Sequence, residues 1–233
     1  LRQTQAGRTD RLGLRVCRHT NMETDVEIDL GSARCIGVLS DTHVPHRLSR
    51  LPDAVLAALS GVDAILHAGD VEDLAVLRVL SSIAPVYAVR GNLHWQFTSG
   101  VHDQDLPAAL RMRWGAQRIW LTHGHMNFGM SIVDKAMSFS SGSVDDRHDR
   151  INATIIRRLH RARPAGTTAV IFGHSHRSTA RSIDGVLYYN PGAVAVCTPR
   201  DSGEEGPRVG LLRLASDEQL QPEWIDLPQW HAA

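Results

Sequence analysis

Cys35-Ile36-Gly37-Val38-Leu39-Ser40-Asp41-Thr42-His43 sets a short apolar run directly against a polar turn. A run of that length, bounded by Gly and Asp, fits a buried strand. The same pairing then recurs along the chain. Val62-Asp63-Ala64-Ile65-Leu66 leads into His67-Ala68-Gly69-Asp70, and Val86-Tyr87-Ala88-Val89 into Arg90-Gly91-Asn92. Ile119-Trp120-Leu121 leads into Thr122-His123-Gly124-His125, and Ala169-Val170-Ile171-Phe172 into Gly173-His174-Ser175-His176. Tyr189-Asn190-Pro191-Gly192 frames the set.

Helical patterns separate the first three runs. Leu51-Pro52-Asp53 opens one helix, with Val55, Leu56 and Leu59 on its apolar face. Pro52 suits a first turn and Gly61 a stop. Glu72 to Ser82 reads as a second helix carrying Leu74, Leu77, Val79 and Leu80. With strands at 35–39, 63–68 and 86–90, this βαβαβ opening implies an α/β fold with parallel strands and right-handed crossovers. Ligands in such sheets bind beyond the carboxyl ends of the strands, where all three polar turns lie.

Beyond Asn92 the pattern changes. Residues 109–114 and 118–121 alternate around the turn Gly115-Ala116-Gln117 and predict a hairpin. A helix is expected from about Arg150 to Arg163, on the apolar face of Ile151, Ile155, Ile156 and Leu159. Further strands are expected at 168–172, 178–183, 186–189, 208–214 and 222–227. The stretch 126–150 reads as an insertion or lid. Residues 1–33 read as a loose extension with a short strand near Val26 to Leu30, and 34–233 as the domain.

Composition narrows the function classes. At 233 residues the chain suits one domain. Hydrophobic residues make up 42% and charged residues 21%, which describes a globular chain. Acids and bases balance at 25 each, so no bulk charge argues for a nucleic-acid or membrane partner. Cys17, Cys35 and Cys197 form no zinc pattern and read as free thiols. No apolar run reaches the length of a membrane span, and the Arg-rich N-terminus lacks the apolar core of a secretion signal. The expectation is a cytoplasmic protein.

The chemistry lies in the polar turns. Carboxylate, imidazole and amide oxygen together suit borderline divalent cations. Two such cations a few ångströms apart need a shared ligand, and such a pair suits phosphoryl displacement. Asp41 and His43, two residues apart at a strand end, can face one metal only if the chain turns there. Asp70 follows Gly69 and Asn92 follows Gly91, each allowing close backbone approach. His174 and His176 put two imidazoles on one tight loop. Taken singly, an Asp-X-His triplet or a Gly-Asp pair reads as a turn or cap. The weight rests on their order and strand-end placement.

That order, D-x-H, G-D, G-N, H-G-H, G-H-x-H and N-P-G, resembles the calcineurin-like metallophosphoesterases, and within them the small bacterial and archaeal phosphodiesterase branch. The retromer scaffold subunit is a structural cousin. The resemblance covers residues 34–227. It implies a four-layer α-β-β-α sandwich of two mixed sheets with flanking helices. It also implies two divalent metals, manganese foremost among Mn, Fe, Zn, Ni and Mg. Asp41, His43 and His176 would hold the first, Asp70 would bridge, and Asn92, His123 and His174 would complete the second. A bridging hydroxide would attack phosphorus in line. The substrate is expected to be a small phosphoester, with nucleotides among the candidates and a nucleic acid disfavoured.

The chain departs from the pattern where many members carry His after Gly-Asn, followed by an acid one residue later. Those places hold Leu93 and His94. Proton donation to the leaving group is therefore open to His94 or His46, each of which also reads as a polar neighbour in a crowded site. His125 reads as an orienting or phosphate-contacting residue. Trp95 and Phe97 either stack on a substrate or pack. His148 among Asp145, Asp146 and Asp149 reads as a solvated loop, and Arg157, Arg158, Arg161 and Arg163 as the solvated face of a helix. One alternative to the phosphodiesterase stays open, a scaffold of this fold that binds protein partners; a homo-oligomer formed through exposed apolar residues of the insertion is compatible with either.

Overall fold

The structure, a computed structural model, describes residues 27–91, 106–124, 144–196 (backbone only for 144–149) and 205–230. Eleven strands and three helices are defined among them. In chain order they are β1 (Glu27–Asp29), β2 (Cys35–Leu39), α1 (Asp53–Ala58), β3 (Ala64–His67), α2 (Ala75–Ser81), β4 (Val86–Ala88), β5 (Ala109–Trp114) and β6 (Gln117–Thr122). There follow α3 (Val144–Ala162), β7 (Ala169–Ile171), β8 (Thr179–Ile183), β9 (Val186–Asn190), β10 (Arg208–Leu214) and β11 (Leu220–Asp226).

The strands form two mixed sheets. One has the order β11-β10-β2-β3-β4, and the other β1-β5-β6-β7-β9-β8. In the first, β2, β3 and β4 run parallel, as the βαβαβ pattern predicts, and β10 joins antiparallel to β2. In the second, β6, β7 and β9 run parallel, with antiparallel hairpin partners β5 and β8.

Side-chain alternation along the strands builds the layers. On β2, Ile36 and Val38 point to the second sheet, where they meet Met112, Trp114, Ile119, Leu121 and Ile171. Leu39 points the other way, into a core shared with Val55 of α1, the adjoining Leu59, and Val76, Leu77 and Leu80 of α2. On the second sheet, Trp120 and Val170 face outward and pack on Ile151, Ile155, Ile156 and Leu159 of α3. The result is helix, sheet, sheet, helix, the four-layer α/β sandwich that the motif order implies. No helix among the described residues is long and apolar enough to cross a membrane.

Several boundaries differ from the sequence reading, each for a local reason. The short strand expected near Val26 to Leu30 forms at Glu27–Asp29, but it is built into the fold and not part of a loose extension. There β1 pairs in parallel with β5, Ile28 packs against the inter-sheet core, and Asp29 pairs with Arg113 at 2.5 Å. The described fold thus reaches back at least to Glu27. Helix α2 starts at Ala75 and not at Glu72, because Glu72 is left-handed (φ 67°) and Asp73 Oδ1 accepts the Ala75 N–H at 2.7 Å. Val79, expected on its apolar face, is 41% exposed. Helix α3 starts at Val144, so Asp145, Asp146, His148 and Asp149 lie in its first turns and not in a loop. Acidic residues favour a helix N-terminus, where backbone N–H groups are unpaired. The hairpin pair Leu214–Leu220 starts β11 two residues early. Of the expected insertion, 126–143 lies outside the described residues, as do Leu93, Trp95, Phe97, Cys17 and Cys197.

Trp114 carries the largest wholly buried side chain between the sheets, and its indole N–H donates to Ala33 O at 2.6 Å. Trp114→Ala is expected to cost about 3–5 kcal/mol in denaturant unfolding. Ile183→Ala, at a site 38% exposed, should change stability by no more than about 0.5 kcal/mol.

Candidate metal centre

The parallel strands of both sheets end on one edge. Beyond β2 lie Ser40 to His43, beyond β3 Ala68 to Asp70, beyond β6 His123, and beyond β7 Gly173 to His176. Backbone hydrogen bonds sew these turns together. Asp41 N–H donates to Gly69 O at 3.0 Å, His43 N–H to Asp70 O at 3.0 Å, and Gly173 N–H to His123 O at 3.1 Å. Behind them, Val194 and Ala195 N–H donate to Ser40 O and Asp41 O at 3.2 and 3.0 Å.

Asp41, His43, Asp70 and His176 each present one ligand atom, and these four atoms lie within 4.8 Å of one another. All four residues are buried or nearly so. His176 Nε2 stands 3.2 Å from Asp41 Oδ1 and 3.3 Å from His43 Nε2. Asp70 Oδ2 sits 3.5 Å from His43 Nε2 and also 3.5 Å from His123 Nε2. One oxygen therefore faces an imidazole from each sheet. The His174 ring lies beside His123, with centroids 5.2 Å apart.

The backbone that achieves this is costly. Asp41, His43, Asp70, Glu72, His174 and His176 all have φ between 45° and 70°. Left-handed geometry costs a non-glycine residue on the order of 1–2 kcal/mol. The only other described non-glycine residues with positive φ are Asp184 and Glu218, both in hairpin turns. Such clustering marks a functional site. Close approach adds two glycine requirements. A Cβ on Gly91 would come within 1.8 Å of Asp70 Oδ1, and one on Gly173 within 1.8 Å of Ser40 Oγ.

Neighbouring groups fix which atom each residue presents. His43 Nδ1 donates to Glu72 Oε1 at 2.7 Å, and His123 Nδ1 donates to Ala68 O at 2.7 Å. Each ring thereby turns its Nε2 toward Asp70. Asp41 Oδ2 accepts from Ser40 Oγ and from His174 N–H, the latter at 3.2 Å. Its Oδ1 is buried and accepts no hydrogen bond. Buried His67 accepts the Gly69 N–H at 3.2 Å through Nδ1, and its Nε2 lies 3.2 Å from Thr42 Oγ1.

The electrostatics draw positive charge. Burial alone would raise the Asp41 carboxyl, yet the His176 and His123 imidazoles hold it well below the usual carboxylate range. Burial opposes charge on His123, but Asp70 and Asp41 outweigh it and push its pKa up to about 9. His43 is held below the ordinary histidine value by burial, against the pull of Glu72 and Asp70. His67 is driven down to about 3 by burial and stays neutral. Buried carboxylates facing imidazole nitrogens, with one carboxylate oxygen accepting nothing, are a donor set that fits divalent cations.

Of the residues singled out in the sequence, the structure brings together Asp41, His43, Asp70, His123, His174 and His176. Asn92, His94 and His125 lie outside the described residues. His46 lies apart from the ligand atoms as a half-exposed partner of Glu72. The sequence reading missed Glu72, which it placed in a helix. The only signal was an acid two residues beyond Asp70.

A model of the calcineurin-like phosphoesterase superfamily domain matches residues 35–216. The chain belongs to that superfamily. A protein of Methanothermobacter thermautotrophicus described as a probable metallophosphoesterase is 30% identical over 190 residues, covering 82% of this chain and 91% of the relative. A probable metallophosphoesterase of Methanocaldococcus jannaschii is 28% identical over 200 residues, covering 86% of this chain and 85% of the relative. The fold is similar to that of Vacuolar Protein Sorting 29 from Cryptosporidium parvum, with a TM-score of 0.53 at 18% identity, over 84% of this chain and 99% of the other. Membership supports a metal-dependent hydrolase acting on phosphoesters.

Glu72→Ala should weaken metal binding by about 10–100-fold, read by titration with competing chelators. Gly91→Ala should abolish metal retention in elemental analysis. Gly185→Ala, at a left-handed glycine (φ 76°) with nothing within 4 Å of the new methyl, should cost only about 1–2 kcal/mol and leave the metal content unchanged.

Proposed function

We propose that this metallophosphoesterase hydrolyses small phosphodiesters, nucleotides among the candidates, with two divalent cations, manganese foremost. Asp41, His43 and His176 would hold one, and Asn92, His123 and His174 the other, with Asp70 shared. The observation that carries this reading is Asp70 Oδ2, placed 3.5 Å from an imidazole nitrogen on either side. Cations bound there would withdraw charge from phosphoryl oxygens and acidify an attacking water.

The chain's own residues do the rest. Ser40 and the His174 N–H occupy Asp41 Oδ2, so Oδ1 is the oxygen offered. Glu72 and the Ala68 carbonyl hold the His43 and His123 rings in one tautomer. The left-handed turns fix the ligand atoms before any substrate arrives, so little reorganisation remains to be made during the reaction. Attack by water in line with the leaving oxygen needs no covalent enzyme intermediate. The protonation of that oxygen falls to His94, with His125 orienting the phosphoryl group.

The second reading is a scaffold that binds protein partners, supported by the likeness in fold to Vacuolar Protein Sorting 29. Turnover separates the two. Metal-stripped protein given Mn, Ni, Zn or Mg singly is expected to cleave bis-(p-nitrophenyl) phosphate faster than p-nitrophenyl phosphate, with Mn the best activator. Asp70→Asn and His123→Ala should fall to background while remaining folded by circular dichroism. Two metals bound with no cleavage of either ester would favour the scaffold.

A further inference from the structure

Helix α3 buries an apolar stripe of Ile151, Ile155, Ile156 and Leu159. Asn152 interrupts it and is only 4% exposed. An asparagine inside a helix is a poor helix former, and a buried amide is costly unless both its ends are satisfied. Both are satisfied here, and by one loop. Asn152 Oδ1 accepts from Ser175 Oγ at 2.7 Å, and Asn152 Nδ2 donates to Arg177 O at 3.1 Å.

A second amide grips the same loop from the end of β9. Asn190 Nδ2 donates to Gly173 O at 2.9 Å and to Ser175 Oγ at 3.0 Å, while its Oδ1 accepts the Gly192 N–H at 2.9 Å. Ser175 Oγ also accepts the Arg177 N–H at 3.3 Å. Ser175 stands between His174 and His176, whose left-handed φ values of 70° and 59° a free loop would not hold. The hydroxyl has its donor and acceptor roles assigned by two amides from different elements.

The geometry points to Asn152 as a positioning residue of the metal centre. It acts through Ser175, and with Asn190 it holds the loop that aims His174 and His176. This inference rests on the metal-centre reading above and assigns a task to a helix that carries none of the proposed ligands. Removing Asn152 takes from Ser175 Oγ its acceptor at 2.7 Å and from Arg177 O its amide donor, leaves the hydroxyl the longer contact to Arg177 O at 3.4 Å, and lets the loop move off α3. That movement would displace both imidazoles together.

The test uses the full chain and Asn152→Leu, which keeps the branched shape and heavy-atom count of the side chain and the apolar stripe. Two readouts are taken: cobalt(II) titration followed by its visible absorption, and hydrogen exchange of the metal-free protein. The expected result is cobalt binding weakened about tenfold or more with an altered spectrum. Faster exchange at the His174 and Arg177 amides should accompany it, and the melting temperature should shift by only a few degrees. Should the leucine variant not fold, Ser175→Ala removes the shared hydroxyl from the loop side and should weaken cobalt binding in the same direction. A variant that melts lower yet binds cobalt with unchanged affinity and spectrum would overturn the inference and leave Asn152 a packing residue. Folded wild-type protein that binds no cobalt would instead overturn the metal-centre reading, and this inference with it.

Discussion

One carboxylate oxygen organises the active edge of this protein. Asp70 Oδ2 is buried and stands equally far from His43, which follows a strand of one sheet, and His123, which follows a strand of the other. A carboxylate away from water must find compensating positive charge or hydrogen bonds. Here the compensation comes from both halves of the sandwich, so the relative placement of the two sheets and the chemistry of the site are one problem. The pKa of His123, raised by the same carboxylate, expresses that demand for positive charge.

The four-layer architecture meets the demand. An inter-sheet core of Ile36, Val38, Met112, Trp114, Ile119 and Ile171 fixes how the sheets stack. Parallel order within each sheet brings the carboxyl ends of β2, β3, β6 and β7 to one edge. The unfavourable backbone of six site residues is borne by that packing, since left-handed turns cannot relax when Gly69, Gly91 and Gly173 abut His123, Asp70 and Ser40. Strain is concentrated where ligand atoms must converge, and the offsetting burial lies in the layers behind.

Much of this was legible in the residues. Apolar runs ending in Asp41, Asp70, His123 and His174 placed strands and polar turns together, because buried strands need continuous apolar sequence and their ends carry what the core cannot. The two-residue spacing of Asp41 and His43 already required a turn, which the structure supplies as left-handed φ. What escaped notice was the supporting set. Glu72 sits in a stretch that reads as helix, and its actual role depends on a left-handed φ and a contact with His43, 29 positions earlier. Asn152 sits among isoleucines where a single polar residue reads as noise. The acidic start of α3 reads as loop until the helix N-terminus is considered. Supporting residues earn their role through long-range contacts, which local patterns do not encode.

The most direct measurement is anomalous X-ray diffraction from crystals of the manganese-loaded protein. The account predicts two manganese peaks per chain, both in contact with Asp70, one on the side of His43 and His176 and the other on the side of His123 and His174. A single peak, or two peaks that do not share Asp70, would contradict it.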